Sequence, residues 1–174
     1  MVTVRPYRED DYESVGILIA DTFSEFNLTF APAEERGLFL GPFRHARSAE
    51  QVHRLAIAAV IQAPMVFVAE DDAAGQGRGE IVGVLRGGRS DRLQSLFVKG
   101  SHQRRGIGRQ LVERFERESL ARGASVIHLA ATLYAVPFYL RMGYVKSTGV
   151  RSGSSFGGRG LPIQPMKKTL QPTV

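Results

Sequence analysis

The sequence predicts an α/β fold, a mixed α+β sheet with helices on both faces, and three observations carry that expectation. Short apolar runs bounded by glycines alternate with segments whose apolar residues recur at helical spacing. Three runs, at residues 65–70, 80–85 and 93–98, are joined by short turns rich in glycine, the pattern of an antiparallel meander. A helical segment then separates the third run from a fourth at residues 126–130, the pattern of a right-handed parallel crossover. The element order this predicts is β-α-α-β-β-β-α-β-α-β-β.

Each element has a local reason. Residues 2–5 alternate as a short strand. Acidic Glu9, Asp10 and Asp11 then introduce a helix carrying Tyr12, Val15, Ile17, Leu18 and Ile19. Residues 27–47 contain Pro32, Gly37, Gly41 and Pro42 among scattered Phe and Leu, which predicts a loop or broken helix with its own apolar anchors. Ser48 and Gln51 resemble a capping box before the helix of Leu55, Ala58, Ala59 and Ile61, closed by Pro64. After the strand at 65–70, residues 71–79 form a glycine-rich turn, and Gly87 and Gly88 form the next one. Residues 108–121 form a helix that buries Leu111, Val112 and Phe115, pairs Glu113 with Arg117, and stops at Gly123. Pro137 and Gly143 bracket a short helix. Residues 144–146 and 165–170 are the final strands, separated by the Gly/Ser-rich stretch 152–160.

A length of 174 residues fits one domain on a prior of roughly 100–200 residues, so residues 1–174 are expected to form a single domain. The absence of cysteine excludes disulfides, thiolate nucleophiles and cysteine-based metal sites. No run approaches the roughly 18 uninterrupted apolar residues of a membrane span, and the N-terminus lacks a signal-peptide core, so the expectation is a cytoplasmic chain without a membrane partner. The net charge of +6 conceals a polarity. Residues 1–85 carry seven Lys and Arg against thirteen Asp and Glu, whereas residues 86–174 carry sixteen against four. A basic half usually meets an anion such as nucleic acid, a membrane surface or a phosphorylated small molecule. The four histidines, His45, His53, His102 and His128, show no metal-ligand spacing, and no metal is expected.

Chemistry concentrates in Val98-Lys-Gly-Ser-His-Gln103-Arg104-Arg105-Gly106-Ile107-Gly108. A strand ends, a basic loop follows, and a helix begins, so free backbone N–H groups and the positive end of a helix dipole converge on an anion site. Gly106 and Gly108 allow close approach to the backbone, and Arg104, Arg105 and Arg109 add charge. The loop is not a Walker A motif, since no Gly-Lys-Ser/Thr follows. It is not a dinucleotide fingerprint either, lacking the third glycine.

This segment resembles the pyrophosphate loop of the GNAT (GCN5-related N-acetyltransferase) superfamily, whose pattern Gln/Arg-x-x-Gly-x-Gly/Ala is met by Gln103, Gly106 and Gly108. A second block, Ala135-Val-Pro-Phe-Tyr139-Leu-Arg-Met-Gly143-Tyr144, is similar to the family's A-x-x-x-Tyr-x-x-x-Gly-Phe/Tyr element. With the crossover between them and the meander before them, the resemblance covers residues 66–170. It implies a GNAT-like acyl-CoA N-acyltransferase fold with acetyl-CoA as cosubstrate. The backbone of Phe97 and Val98 would pair with the pantetheine arm as an added strand. The Val98 N–H would stabilise the developing oxyanion, a contribution of about 2.7–4 kcal/mol at comparable sites. The amides of Gln103 to Gly108 would hold the pyrophosphate, and Ala135 belongs to the same surface. Tyr139, protonated at neutral pH, would be the general acid toward the departing thiolate.

Two departures follow. Thr132 stands where many members carry an Asn toward the pantetheine. No glutamate occupies the usual base position near Asp91 and Arg92, so none of Glu25, Glu34, Glu35, Glu70, Glu80 and Asp91 is assigned as base. The resemblance implies direct N-acetylation of an amine, a small molecule or a protein amine, entering past residues 27–47 with residues 152–162 as the other wall. The alternative is an acyl-CoA or nucleic-acid binding module without turnover. No aromatic-studded basic stripe occurs in residues 86–122, which argues against nucleic acid. Dimers are common in the superfamily, and a homodimer is compatible with the C-terminal strands.

Overall fold

The computed structural model describes residues 1–72, 77 and 79–171. Strand β1 (Val2–Pro6) leads through a 3-10 turn, Glu9–Asp11, into helix α1 (Tyr12–Thr22), which continues as a π-helical turn, Phe23–Asn27. Helix α2 (Gln51–Ile61) precedes β2 (Met65–Asp71), β3 (Glu80–Gly87) and β4 (Leu93–Val98). Helix α3 (Ile107–Ala121), β5 (Val126–Thr132), α4 (Val136–Arg141), β6 (Val145–Lys146), β7 (Arg151–Gly153) and β8 (Leu161–Thr169) complete the chain. The mixed α/β architecture is the expected one, with α1 and α2 packed into one apolar cluster and α3 and α4 into another.

The expected single sheet divides in two. Strands β1, β2, β3 and β4 form one antiparallel sheet in that order, and β5, β8, β6 and β7 form the second. The parallel contact between β4 and β5 is one bridge, Arg92 to His128, with the His128 N–H donating to the Asp91 carbonyl at 2.8 Å. Beyond that point the two strands part. β7 was not anticipated, because its three residues lie at the edge of a Gly/Ser-rich stretch, and β8 begins at Leu161 rather than at Pro165. Pro162 and Pro165 within β8 mask its strand character in the sequence.

β3 sits between the two clusters, and every residue from Ile81 to Gly87 is buried. Glycine is required where α3 crosses it: a Cβ at Gly87 would overlap the Phe115 ring. Leu111, Val112 and Phe115 are fully buried there, each worth about 1.5–3 kcal/mol of transfer free energy. The residue next along, Arg86, is also buried, and its guanidinium donates to the carbonyls of Val60 and Ile61 (3.2 Å) at the end of α2. It thereby satisfies carbonyls that the helix leaves free.

Three local expectations change. α2 turns Ile57 and Ile61 inward and leaves Leu55 62% exposed, because Leu18, Ile19 and their neighbours on α1 meet the face one residue round. Its N-cap is Glu50; Ser48 instead accepts from the Glu50 N–H at 3.1 Å, two residues ahead of that cap. On α3, Glu113 accepts from Arg109 at 2.9 Å, one turn before it, rather than pairing with Arg117. Residues 27–47 contain two 3-10 segments, Ala33–Phe39 and Gly41–His45, anchored by buried Phe39, Leu40 and Phe43. Gly123 adopts φ +88° just past α3, as expected of a helix stop. The glycine-rich turn expected at 71–79 lies mostly outside the described residues.

Candidate active site

The parting of β4 from β5 leaves one edge of β4 open. The Lys99 N–H donates to the Val82 carbonyl at 2.8 Å, and Val84 pairs with Phe97. Backbone polar groups alternate sides along an antiparallel strand, so Phe97 directs its N–H and C=O toward β3, while Leu96 and Val98 direct theirs toward the gap. Val98, expected to meet the pantetheine arm, faces the gap, whereas Phe97, expected beside it, has its backbone used by β3 and its ring buried against Phe23 at 5.7 Å. Leu96 takes its place on the open edge. A period-two argument from the strand boundary finds it only once the register is known.

After Val98 the chain makes a 3-10 turn, Gly100–His102, and returns. Gln103 folds back to donate its side-chain amide to the Val98 carbonyl at 3.0 Å. His102 is largely buried and bonds Asp71 at 3.2 Å, pinning the loop to the end of β2. Arg104 (φ +60°) and Gly106 (φ +82°) adopt left-handed conformations that turn the backbone into the first turn of α3. Ile107 is buried and anchors that turn, while Arg104, Arg105 and Gly106 remain exposed. A Cβ on Gly106 would meet nothing within 4 Å, so the space before the helix N-terminus is open. Arg109 is engaged by Glu113 and contributes less charge to this space than expected.

α4 docks on the same corner. A Cβ on Gly108 would lie 3.3 Å from the Phe138 ring and 3.7 Å from Val98 Cγ2, so α4, the start of α3 and the end of β4 converge. Tyr139, on the next position of α4, is buried between Phe138 (5.1 Å) and Tyr144 (5.5 Å), both edge-on. Burial raises its phenol far above the ordinary range near 10. Ala135 is half-buried just before α4. Thr132, at the end of β5, accepts from the Asn27 side chain, a bond across 105 positions that sequence alone does not suggest. Phe26, beside Asn27, stacks on Tyr134 at 5.6 Å, and Tyr134 donates to Gln103 at 3.0 Å. The π-helical end of α1 thus spans the mouth of the gap.

The opposite face of β4 is closed by aromatic side chains. Phe156, in the turn between β7 and β8, packs against Phe23, Phe43 and Phe97, with the Arg86 guanidinium 5.5 Å from its ring. Gly41 permits this, because a Cβ there would overlap the Phe156 carbonyl. Residues 27–47 and 152–162, expected as two acceptor walls, are therefore joined, with the Arg159 N–H on the Leu38 carbonyl at 2.9 Å. Of the carboxylates considered as bases, Glu70 is held by Arg5, Glu80 by Lys99, and Glu35 by Arg159. Glu25 lies beside Gly100 at the start of the loop. Among the described residues, no group of three His, Cys, Asp or Glu could hold a metal ion, and no helix is long and apolar enough to cross a membrane.

A family model for an acetyltransferase (GNAT) domain matches residues 46–170. The chain belongs to the GNAT acetyltransferase family. No curated protein matches it. Among solved structures, this GNAT chain is similar to a GCN5-related N-acetyltransferase from Rhodopseudomonas palustris, with a TM-score of 0.74 and 20% identity over 97% of this chain and 95% of that one. It is also similar to yncA from Salmonella typhimurium, solved with its cofactor acetyl-CoA (TM-score 0.61, 16% identity, 100% and 96% covered). A third is the paiA N-acetyltransferase from Thermoplasma acidophilum in complex with coenzyme A (TM-score 0.64, 15% identity, 98% and 99% covered). At such identities the common property is the GNAT fold, including the strands and helices that position the open edge of β4.

Proposed function

We propose that this GNAT chain is an acetyl-CoA-dependent N-acetyltransferase that moves the acetyl group directly to an amine. One observation carries the reading: the Val98 and Leu96 backbone groups face a gap that β5 does not fill, at the foot of a basic loop and an open helix N-terminus. The residues present fit acetyl-CoA. The open β4 edge suits a pantetheine arm, whose amides mimic a peptide strand. The space above Gly106, with the amides from Gln103 to Gly108 and the exposed Arg104 and Arg105, suits a pyrophosphate. Thr132, Ala135 and α4 line the other side.

Acetyl-CoA supplies a thioester whose acyl carbon takes the amine nitrogen as its C–S bond breaks. The Val98 N–H, already fixed by the strand, polarises the thioester carbonyl without reorganising. Tyr139 holds its proton firmly, because burial disfavours the phenolate, and gives it to the departing sulfur. Since Glu70, Glu80 and Glu35 already face cations, the reading assigns no side-chain base, and the amine proton leaves through water. A cytoplasmic location belongs to the same reading.

The test is a calorimetric titration of acetyl-CoA into the intact protein and into Gly106→Trp, with circular dichroism to confirm that the variant folds. Micromolar binding that the substitution abolishes is the expected result. Failure of the intact protein to bind overturns the assignment.

A further inference from the structure

We propose that a second site, specific for small dianions, lies behind the Phe156 ring in a cavity of about 340 Å3 between residues 37–45, α2 and the β7–β8 turn. The cavity is separate from the β4/β5 gap, because Phe156 stands against Phe97 at 6.2 Å between them. Its charged and titratable lining consists of Arg44, His45 and His53, while Gly41, Gly157 and Gly158 expose bare backbone to it. The two imidazoles are stacked face to face, with centroids 3.9 Å apart and planes 4° from parallel.

Among the described residues, no carboxylate is hydrogen-bonded to this cluster. Arg44 Nε donates to His45 Nε2 at 2.9 Å, so that nitrogen is an acceptor and the His45 ring is neutral. His53 Nδ1 bonds Ser48 Oγ at 2.8 Å, which leaves its Nε2 with no partner among the described residues. From the segment before α2, Glu50 approaches His53 Nδ1 at 3.8 Å and is, among the described residues, the one carboxylate paired with either ring. The other acids packed around it are engaged: Asp21 of α1 holds Arg47, and Glu35 holds Arg159 of the β7–β8 turn. Arg44 therefore faces two imidazoles that cannot both take protons without mutual repulsion, and partial burial with the His53 and Arg44 charges holds His45 below the usual histidine range. A dianion seated on the Arg44 fork and His53 Nε2 removes that repulsion. Binding then offsets the charges that hold His45 low, and affinity rises as pH falls. The shared chemistry is a compact dianion, either a tetrahedral oxyanion such as a phosphate or sulfate ester or a dicarboxylate.

Sulfate tests this cleanly, because its charge is constant across the pH range of histidine titration, and malonate provides the carboxylate arm. Imidazole NMR signals of His45 and His53 are followed during titration with each anion, at about pH 6 and about pH 8, without CoA. The expected result is a saturable shift of both rings, at least about threefold tighter at the lower pH, and about tenfold weaker in Arg44→Gln and in His53→Gln. Acetyl-CoA binding by both variants stays unchanged, which separates this site from the cofactor site. The tighter of the two anions identifies the ligand class. No saturable shift by either anion up to about 50 mM, equal affinity at the two pH values, or undiminished binding by Arg44→Gln overturns the proposal.

Discussion

Gln103 donates its side-chain amide to the carbonyl of Val98 at 3.0 Å, so the loop that follows β4 is folded back onto the last residue of the strand. The other end of the same amide accepts from the Tyr134 hydroxyl at 3.0 Å, beyond the gap. One side chain therefore links the β4 edge to the segment after β5 and fixes the separation of the two strands. Because hydrogen bonds of this kind contribute roughly 0.5–1.5 kcal/mol each, Gln103→Leu is expected to lower stability by about 1–2 kcal/mol. It also frees the loop to wander, which is expected to weaken acetyl-CoA binding about tenfold, while Tyr134→Phe weakens it less. Urea unfolding and calorimetry measure the two effects. Unchanged affinity in Gln103→Leu would show that the loop is shaped by its left-handed residues alone.

The sequence made the glycine-containing loop before α3, the order of the central elements and the buried face of α3 legible, because each rests on local chemistry: glycines at turns, a basic run before a helix, apolar residues at one period. What it concealed are relationships between distant positions. Asn27 meets Thr132, and Phe26 meets Tyr134, only because the π-helical end of α1 crosses the gap. The choice between Phe97 and Leu96 on the open edge depends on the register with β3, which no single strand encodes. Leu55 misled for the same reason: an alanine-rich helix has more than one face that looks apolar, and packing against α1 selects one. Phe156 was invisible because an aromatic residue within a Gly/Ser run carries no period.

Tyr139 gives the second prediction. Its ring packs in the core while no described residue hydrogen-bonds its hydroxyl, so Tyr139→Phe is expected to leave stability within about 0.5 kcal/mol and acetyl-CoA affinity unchanged. If Tyr139 serves as the proposed general acid, its loss is expected to lower kcat by about 100-fold or more once an amine acceptor is in hand. The pH dependence follows from the raised phenol. A group that holds its proton well above 10 causes no loss of activity on the alkaline side below about pH 10. An alkaline limb near pH 8 that disappears in Tyr139→Phe would contradict the assignment.

Arg5 gives the third. Its guanidinium binds both oxygens of Asp11, at 2.8 and 2.9 Å, and also the carboxylate of Glu70, joining β1, the start of α1 and β2. The Asp11 side chain is 1% exposed, so Arg5→Met removes a bidentate cation from a buried carboxylate, which is expected to cost about 3–5 kcal/mol at pH 7. The Arg5 hydrogen bond holds Glu70 below the usual glutamate range, helped by the Gly79 N–H at 2.9 Å. A depressed carboxylate contributes stability that is fully present above its unfolded value near 4.3 and is lost as pH falls through the lower folded value. The native protein should therefore lose stability below about pH 4, and the deficit of Arg5→Met should shrink over the same interval as Glu70 takes up a proton. Urea midpoints at about pH 7 and about pH 3.5 measure this. A deficit equal at both values would mean that Arg5 acts through packing of its aliphatic stem rather than through charge.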